Sequence, residues 1–475
     1  MTDDLSFEDS YLHRRIALRE GKRELDVCIA NSLFSRAGLD VGSKHLLDSL
    51  IKQAPASGAA GAPASILDIG CGWGPIALRL AVRYPDARVV ATDRDLLAVH
   101  TTAINAAINE IANLQTVLSL GYSGVRPGST DALGEPLPDE YDLIVLNIPA
   151  KVGENGLREL LFGAGHMLRP NGTIAVVFVS ALAQWMRTLL AELQEAGGVA
   201  VELRFEKVRA EHTVWHLCLP EGLPELFAPT VDLMPGITLS ETSVLWPYLR
   251  QDLAQSADGM PAIAVHNVAE FDTLDYRNRL FDKTLHACFK AKPADEARGE
   301  RMLVFNPRHG YLVRQLMLSR RPGETVVVDR DALALEATSA NLTIEPLQGL
   351  QVRIVAGLAL GAHDVWAQEP LAGPFNVIAG VLRDDEGRGG LQRLLLEAAQ
   401  LLAPDGVLLL GMASAEVGTL LKPALKGTGM RLSRQFKRKG FVAQLLRPPR
   451  AAGDDSPDDE EVASEDGTDG DNGDE

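Results

Sequence analysis

From residue 66 onward, short apolar runs alternate with amphipathic stretches. Ile66 to Ile69, Val89 to Thr92 and Leu143 to Leu146 read as buried strands, whereas Pro75 to Arg83 and Leu96 to Ile111 carry helical periodicity. Leu157 to Leu168 predicts a further helix, closed by the turn Arg169-Pro170-Asn171-Gly172, which feeds the apolar strand Thr173 to Val179. Apolar strands separated by helices must be covered on both faces. The pattern therefore predicts an α/β fold around a doubly wound, mostly parallel sheet.

The second half repeats the first at nearly fixed offsets. Asp93-Arg94-Asp95 begins 19 residues after Gly74, and Asp329-Arg330-Asp331 begins 19 after Gly310. Asn105 follows Asp93 by 12, as Asn341 follows Asp329 by 12. Leu168, Pro170 and Gly172 return as Leu402, Pro404 and Gly406, each 234 residues on. These offsets identify a tandem duplication. Small-residue and proline-rich stretches set the expected organisation: an N-terminal segment over 1–53, a linker over 54–65, a first domain over 66–220, a proline-rich linker over 221–236, a second copy over 237–450 and a tail over 451–475.

The copies differ where chemistry would sit. The first reads Leu67-Asp68-Ile69-Gly70-Cys71-Gly72-Trp73-Gly74 and the second Leu303-Val304-Phe305-Asn306-Pro307-Arg308-His309-Gly310, so one glycine of three survives. Asn147, after a later strand, corresponds to Val381. The first copy is expected to be the working one, with the second degenerate.

Composition narrows the class. Of 475 residues, 46% are hydrophobic and 23% charged, as in globular proteins of two or three domains. Four cysteines without a C-x-x-C pair disfavour a zinc site or a disulfide framework and fit a reducing cytosol. The acidic start excludes a secretory signal, and the longest apolar run, Thr173 to Ala183, is too short for a membrane span, so a soluble cytoplasmic protein is expected. The net charge is −18, but the tail alone carries −12 and is expected to be disordered. Just before it, residues 426–450 hold eight basic and no acidic residues, either a solvated strand face or a phosphate-facing patch.

Glycines after the first strand let a ligand approach the backbone closely. The G-x-G-x-G form of Gly70, Gly72 and Gly74, with Asp68 two residues before it, resembles the loop of S-adenosylmethionine-dependent methyltransferases more than the dinucleotide fingerprint. Asp93, ending the next strand, either accepts hydrogen bonds from ribose hydroxyls or caps the following helix. Cys71 reads as a small loop residue, Trp73 as a packing residue, and His212 and His216 as solvated or core histidines.

Together with Leu33-Phe34-Ser35-Arg36-Ala37-Gly38-Leu39-Asp40-Val41-Gly42-Ser43, the Asn105 helix, Gly121-Tyr122-Ser123-Gly124-Val125 and the strand ending at Asn147, these motifs resemble the methyltransferase small domain family over residues 10 to 220. Its best-known members are ribosomal RNA guanine methyltransferases acting on the exocyclic amine. The resemblance implies two Rossmann-like methyltransferase folds, S-adenosylmethionine held by Asp68, Gly70, Gly72, Gly74, Asp93 and Asn147 of the first copy only, and RNA as substrate, without metal or membrane. In the family a strand ends in Asn-Pro-Pro-Phe-His-x-Gly, whose Asn and following carbonyl accept the amine protons while the aromatic ring stacks on the base. Here the stretch is Asn147-Ile148-Pro149-Ala150-Lys151-Val152-Gly153. Asn147 and Pro149 are thereby the catalytic candidates, Ala150 removes the ring, and Leu120 stands where the family has an Asp for the adenine amine. Three readings are open: amine methylation in RNA, with Tyr122 or a residue of the second half as stacking surface; methylation of a protein or small molecule; or a non-catalytic factor that binds cofactor and RNA. If the basic run binds RNA, the anionic tail competes for it. Truncation after Arg450 should then tighten RNA binding in a filter or anisotropy assay, and unchanged affinity would end that idea.

Overall fold

The computed structural model describes residues 6–53, 58–149, 151–197, 201–220, 239–240, 243–250, 262–269, 280–281, 284, 299–343, 347, 349–361, 371–449 and 463–466. The proline-rich 221–236 segment lies outside them. Contacts divide the chain into a front unit, 12–232 with 241–250, and a rear unit, 1–11, 233–240 and 251–475. The N-terminal segment is thus shared. Helix α1 (Phe7–Tyr11) packs in the rear unit on the Gly387–Leu401 helix, where Gly389 admits the Asp9 backbone, while the rest builds the front unit.

The front unit opens with the antiparallel hairpin β1 (Leu12–Glu20) and β2 (Arg23–Ala30), then α2 (Val41–Gln53). β3 (Ser65–Ile69), α3 (Pro75–Arg83), β4 (Arg88–Asp93), α4 (Leu96–Ile108), β5 (Leu114–Leu118), β6 (Tyr141–Asn147), α5 (Glu154–Phe162), β7 (Leu168–Val179) and α6 (Ala183–Gly197) follow. β8 (Glu202–Val208) and β9 (His212–Cys218) complete a seven-stranded sheet in the order β5-β4-β3-β6-β7-β9-β8. Strands β3 to β7 run parallel and β9 antiparallel to its neighbours. The central strands are almost wholly buried, which their unbroken apolar runs require. The expected turn Arg169 to Gly172 interrupts the ladder, since Tyr141 pairs with Leu168 and Leu143 with Thr173. α5 ends at Phe162, earlier than its periodicity predicts, because Gly163 packs against the Tyr122 ring and the chain tightens into a 3₁₀ turn.

The rear unit repeats this order. β10 (Arg301–Phe305), α7 (Tyr311–Arg320), β11 (Glu324–Asp329), α8 (Ala332–Asn341), β12 (Val352–Ala356), β13 (Phe375–Val381), α9 (Gly387–Leu401), β14 (Leu402–Ala413), α10 (Lys422–Leu425), β15 (Arg431–Arg438) and β16 (Phe441–Arg447) give β12-β11-β10-β13-β14-β16-β15. Two Rossmann-like sheets of the same strand order stand in tandem. The basic run is the β15–β16 hairpin, and its edge is extended by β17 (Ala463–Asp466), parallel to β15 with Lys437 opposite Asp466. Residues 463–466 of the tail expected to be disordered thus form a strand of the rear sheet, and the rest of 451–475 lies outside the described residues. No helix among the described residues is long and apolar enough to cross a membrane.

One buried amide recurs in both units. Asn105 accepts from the Cys28 N–H (2.7 Å) and donates to the Cys28 and Trp73 carbonyls (both 2.9 Å), tying α4 to β2 and to the glycine loop. Asn341 makes the same three bonds to Ile263 and His309 (2.7, 3.0 and 2.9 Å). Asn105→Ala strands three buried backbone groups, so it should lower the front unit's stability by about 2–4 kcal/mol in urea unfolding. A loss under about 0.5 kcal/mol, within the range of ordinary surface substitutions, would show that the amide is not a structural tie.

Candidate active site

The sequence-derived residues converge at the carboxyl ends of β3, β4 and β6, where open α/β sheets bind ligands. The loop after β3 is shaped by its glycines: Gly70, Gly72 and Gly74 have φ of 77°, 58° and 89°. A Cβ added to Gly70 or Gly72 would meet nothing within 4 Å, so both border open space, whereas at Gly74 it would strike Thr102 at 2.9 Å. The loop is strapped down by the Gly70 and Cys71 N–H groups donating to the Thr92 carbonyl (2.8 and 2.9 Å) and by Thr102 Oγ1 donating to the Gly72 carbonyl (3.0 Å).

Asp93 is half-buried, and its two oxygens each accept one backbone N–H, from Gly72 (3.0 Å) and Asp95 (2.9 Å). Helix capping falls to Asp95, whose Oδ1 accepts from the Leu97 N–H at 3.0 Å. Asp93 is thus released from the capping role and keeps acceptor capacity. Burial, foremost, pushes its pKa up to about 6. Asp68 is fully buried. Its Oδ2 accepts from the Ala77 N–H in the first turn of α3 (3.0 Å), while Oδ1 has no hydrogen-bond partner. Burial and then the Asp93 charge lift Asp68 to about 7, against the pull of the Ala77 N–H.

Asn147 ends β6, on the next strand of the sheet. Its amide nitrogen donates to Asp40 Oδ1 (3.2 Å) and Ser43 Oγ (3.0 Å), and Asp40 also accepts from the Ser43 N–H (2.9 Å) at the start of α2. The Leu33 to Ser43 stretch therefore reaches the site by holding Asn147, a role that sequence reasoning missed; its one visible signal is an Asp three residues before a Ser at a helix start. Pro149 is exposed just beyond β6, and Ala150 lies outside the described residues.

Other candidates resolve differently. Tyr122 is buried with its hydroxyl donating to the Leu160 carbonyl (2.8 Å), so it offers no stacking face. The exposed ring near Asp40 in sequence is Phe34, 74% accessible. Leu120 is buried and brings no polar side chain. Cys71 is buried, its thiol pKa raised first by desolvation, which suits packing rather than nucleophilic chemistry. His216 is a core residue, bonded to Ser49 Oγ at 2.8 Å and held neutral by burial, its pKa lowered to about 4. Among the described residues no group of three or more His, Cys, Asp or Glu side chains could hold a metal.

Residues 24–206 match the family described as the methyltransferase small domain. A ribosomal RNA large subunit methyltransferase G of Psychromonas ingrahamii is 30% identical over 142 residues, 29% of this chain and 32% of that protein. A ribosomal RNA small subunit methyltransferase C of Hahella chejuensis is 31% identical over 149 residues, 30% of this chain and 37% of that protein. The chain thus spans about a third of the length of these relatives. The T. thermophilus 16S rRNA N2 G1207 methyltransferase, solved with AdoMet and guanosine, has the same fold over 93% of this chain and 100% of its own, with a TM-score of 0.57 and 17% identity.

The buried carboxyl makes a testable demand. Asp68 rises from an ordinary 3.8 to about 7, so between those values the folded protein holds a proton that the unfolded chain has released, and stability falls as pH rises through that window. Asp68→Asn keeps an oxygen for the Ala77 N–H and removes the charge. Urea unfolding should find it equal to wild type near pH 4 and more stable by a few kcal/mol near pH 8; a pH-independent difference would refute the assignment.

Proposed function

We propose that this chain, whose residues 24–206 match the methyltransferase small domain family, transfers a methyl group from S-adenosylmethionine to the exocyclic amine of a guanine in ribosomal RNA. The observation that carries the reading is the fixed Asn147 amide: its nitrogen is spent on Asp40 and Ser43, which leaves its oxygen as the acceptor for an incoming amine.

The residues present fit the cofactor. Gly70 and Gly72 border open space with backbone that side chains rarely adopt. Asp93 would accept from the ribose hydroxyls, and the orphaned Asp68 Oδ1 supports a role toward the cationic methionine end. When bound, the cofactor supplies an electrophilic methyl group on a sulfonium. Asn147 Oδ1 and the following main-chain carbonyl would accept hydrogen bonds from the amine and direct the nitrogen lone pair, the proton displaced on methylation passing to solvent, and Pro149 would stiffen the backbone that carries them. Catalysis is then alignment for in-line displacement. Phe34, an exposed ring on the segment that holds Asn147, would be the ring to stack on the base. The free thiols Cys28, Cys71 and Cys218 suit a reducing cytoplasm. The burial of Tyr122 and the missing ring at Ala150 favour a second reading, in which the acceptor is a protein side chain or small molecule.

Isothermal titration with S-adenosylmethionine should give no binding to Asp93→Ala. Asn147→Ala should bind the cofactor as wild type does, yet transfer label from it at least about 100-fold more slowly, as expected when alignment is lost. The acceptor is tested with ribosomal RNA, protein and metabolite fractions from a strain lacking the gene. Label entering only the protein or metabolite fraction would overturn the RNA reading, and undiminished transfer by Asn147→Ala would overturn its role.

A further inference from the structure

His212, unlike His216, is not consumed by the core, and its surroundings point to a ligand. Asn147 of β6 pairs with Val177 of β7, Val177 with Val214 of β9, and Val214 with Lys207 of β8. Asn147 and Lys207 therefore lie in one row across the sheet, three strand spacings or roughly 14 Å apart. The β8–β9 turn extends past that row on the ligand-binding edge. It is held in place by the Arg209 N–H donating to the His212 carbonyl (2.9 Å), by Ser180 Oγ donating to the Arg209 carbonyl (2.8 Å) and by the Ser180 N–H donating to the Glu211 carbonyl (2.8 Å).

This turn meets the first turn of α2. A Cβ on Gly42 would lie 3.1 Å from His212 Cδ2 and 3.1 Å from Asp40 Oδ1, so the absence of a side chain lets the imidazole approach the residue that holds Asn147. Lys44 and His45 follow on α2. The buried Nδ1 atoms of His212 and His45 have no hydrogen-bond partner, Lys44 and Arg209 are exposed and Lys207 is half-buried. Three acids stand nearby. Asp40 is occupied by Ser43 and Asn147, Glu211 is exposed in the turn, and Asp48 acts on His45 more weakly than Lys207, Arg209 and His212 do. The local field is positive, and burial together with those cations lowers the His45 pKa.

We infer that Lys44, His45, Lys207, Arg209 and His212 form a phosphate-binding subsite beside Asn147, which takes the backbone of the RNA strand flanking the acceptor nucleotide. Cations and imidazole N–H donors on two fixed elements match phosphate oxygens, and a neutral metabolite would leave them unused. The inference rests on the RNA reading above and adds where the strand runs.

The test is the double variant Lys207→Ala/Arg209→Ala, with Lys207→Arg as the charge-conserving control and a short single-stranded RNA oligonucleotide as probe. At about 50 mM salt the double variant should bind RNA about tenfold more weakly, and the slope of log K against log salt should shrink by about 1.4, or 0.7 per lost phosphate contact. Lys207→Arg should retain both, and the affinity of every variant for S-adenosylmethionine should be unchanged. RNA affinity and slope equal to wild type would overturn the subsite, as would a parallel loss of cofactor affinity, which assigns the two residues to the fold. Wild-type protein that binds cofactor but no RNA would overturn the subsite and the RNA reading together while leaving the cofactor assignment standing.

Discussion

A single amide holds the front of this molecule together. Asn105 is fully buried inside α4, where a polar residue of modest helix propensity gains nothing from local structure. Its value lies in reach. The side chain binds both main-chain groups of Cys28 and the Trp73 carbonyl, so an edge strand, a helix and the ligand loop are fixed to one point. Because the loop is pinned at Trp73, Gly74 meets Thr102 and α3 begins where Asp68 can reach its first turn. Asn341 repeats the arrangement in the rear unit, where Asn306 and Arg308 stand in place of two of the loop glycines. The clip belongs to the frame that both units share.

What the rear unit lost is visible atom by atom. Asn306 and Arg308, at φ of 47° and 58°, hold the left-handed conformations of Gly70 and Gly72, so the loop's path persists with side chains where the front has open space. Asn306 Nδ2 donates to the Val381 carbonyl (2.9 Å), at the position of Asn147. Arg383, which stands 234 residues after Pro149, forms an ion pair with Asp329, the counterpart of Asp93. A nucleoside entering there would have to displace that pair. Both copies thus keep the packing contacts, while the open, glycine-lined loop is found in the front copy.

The parallel strands, the duplicated offsets and the glycine loop were legible because each is a local pattern. The β1–β2 hairpin and α2 were not, since Leu12 to Glu20 alternates weakly and carries four charges with one histidine, which reads as surface. Two neighbouring acids, Asp93 and Asp95, compete on paper for the helix cap; geometry decides, because only Asp95 stands next to the first turn. Tyr122 stood open as one possible stacking surface because its burial depends on Leu160 and Gly163, some forty residues away, and no local signal reports such a contact. The strand at Ala463–Asp466 escaped for a related reason, as its composition is that of a solvated tail and its partner is the basic edge of β15.

Charge explains why the two copies parted at these positions. In the front unit Asp68 and Asp93 are both desolvated, the Asp93 charge raises Asp68 and the Asp95 charge raises Asp93, so the cradle carries a standing electrostatic cost. The rear unit has removed both parts of it: Val304 replaces Asp68, and Arg383 neutralises Asp329 from within the chain. A pair of strained carboxylates persists only where something compensates it, and a cationic ligand bound to the folded state would do so through linkage. At the position of Arg383 the front copy carries Pro149, and the cation that lowers the Asp93 pKa there is Arg94, from the adjoining position in the chain. On this argument the glycines admit the ligand and the paired acids select for its charge.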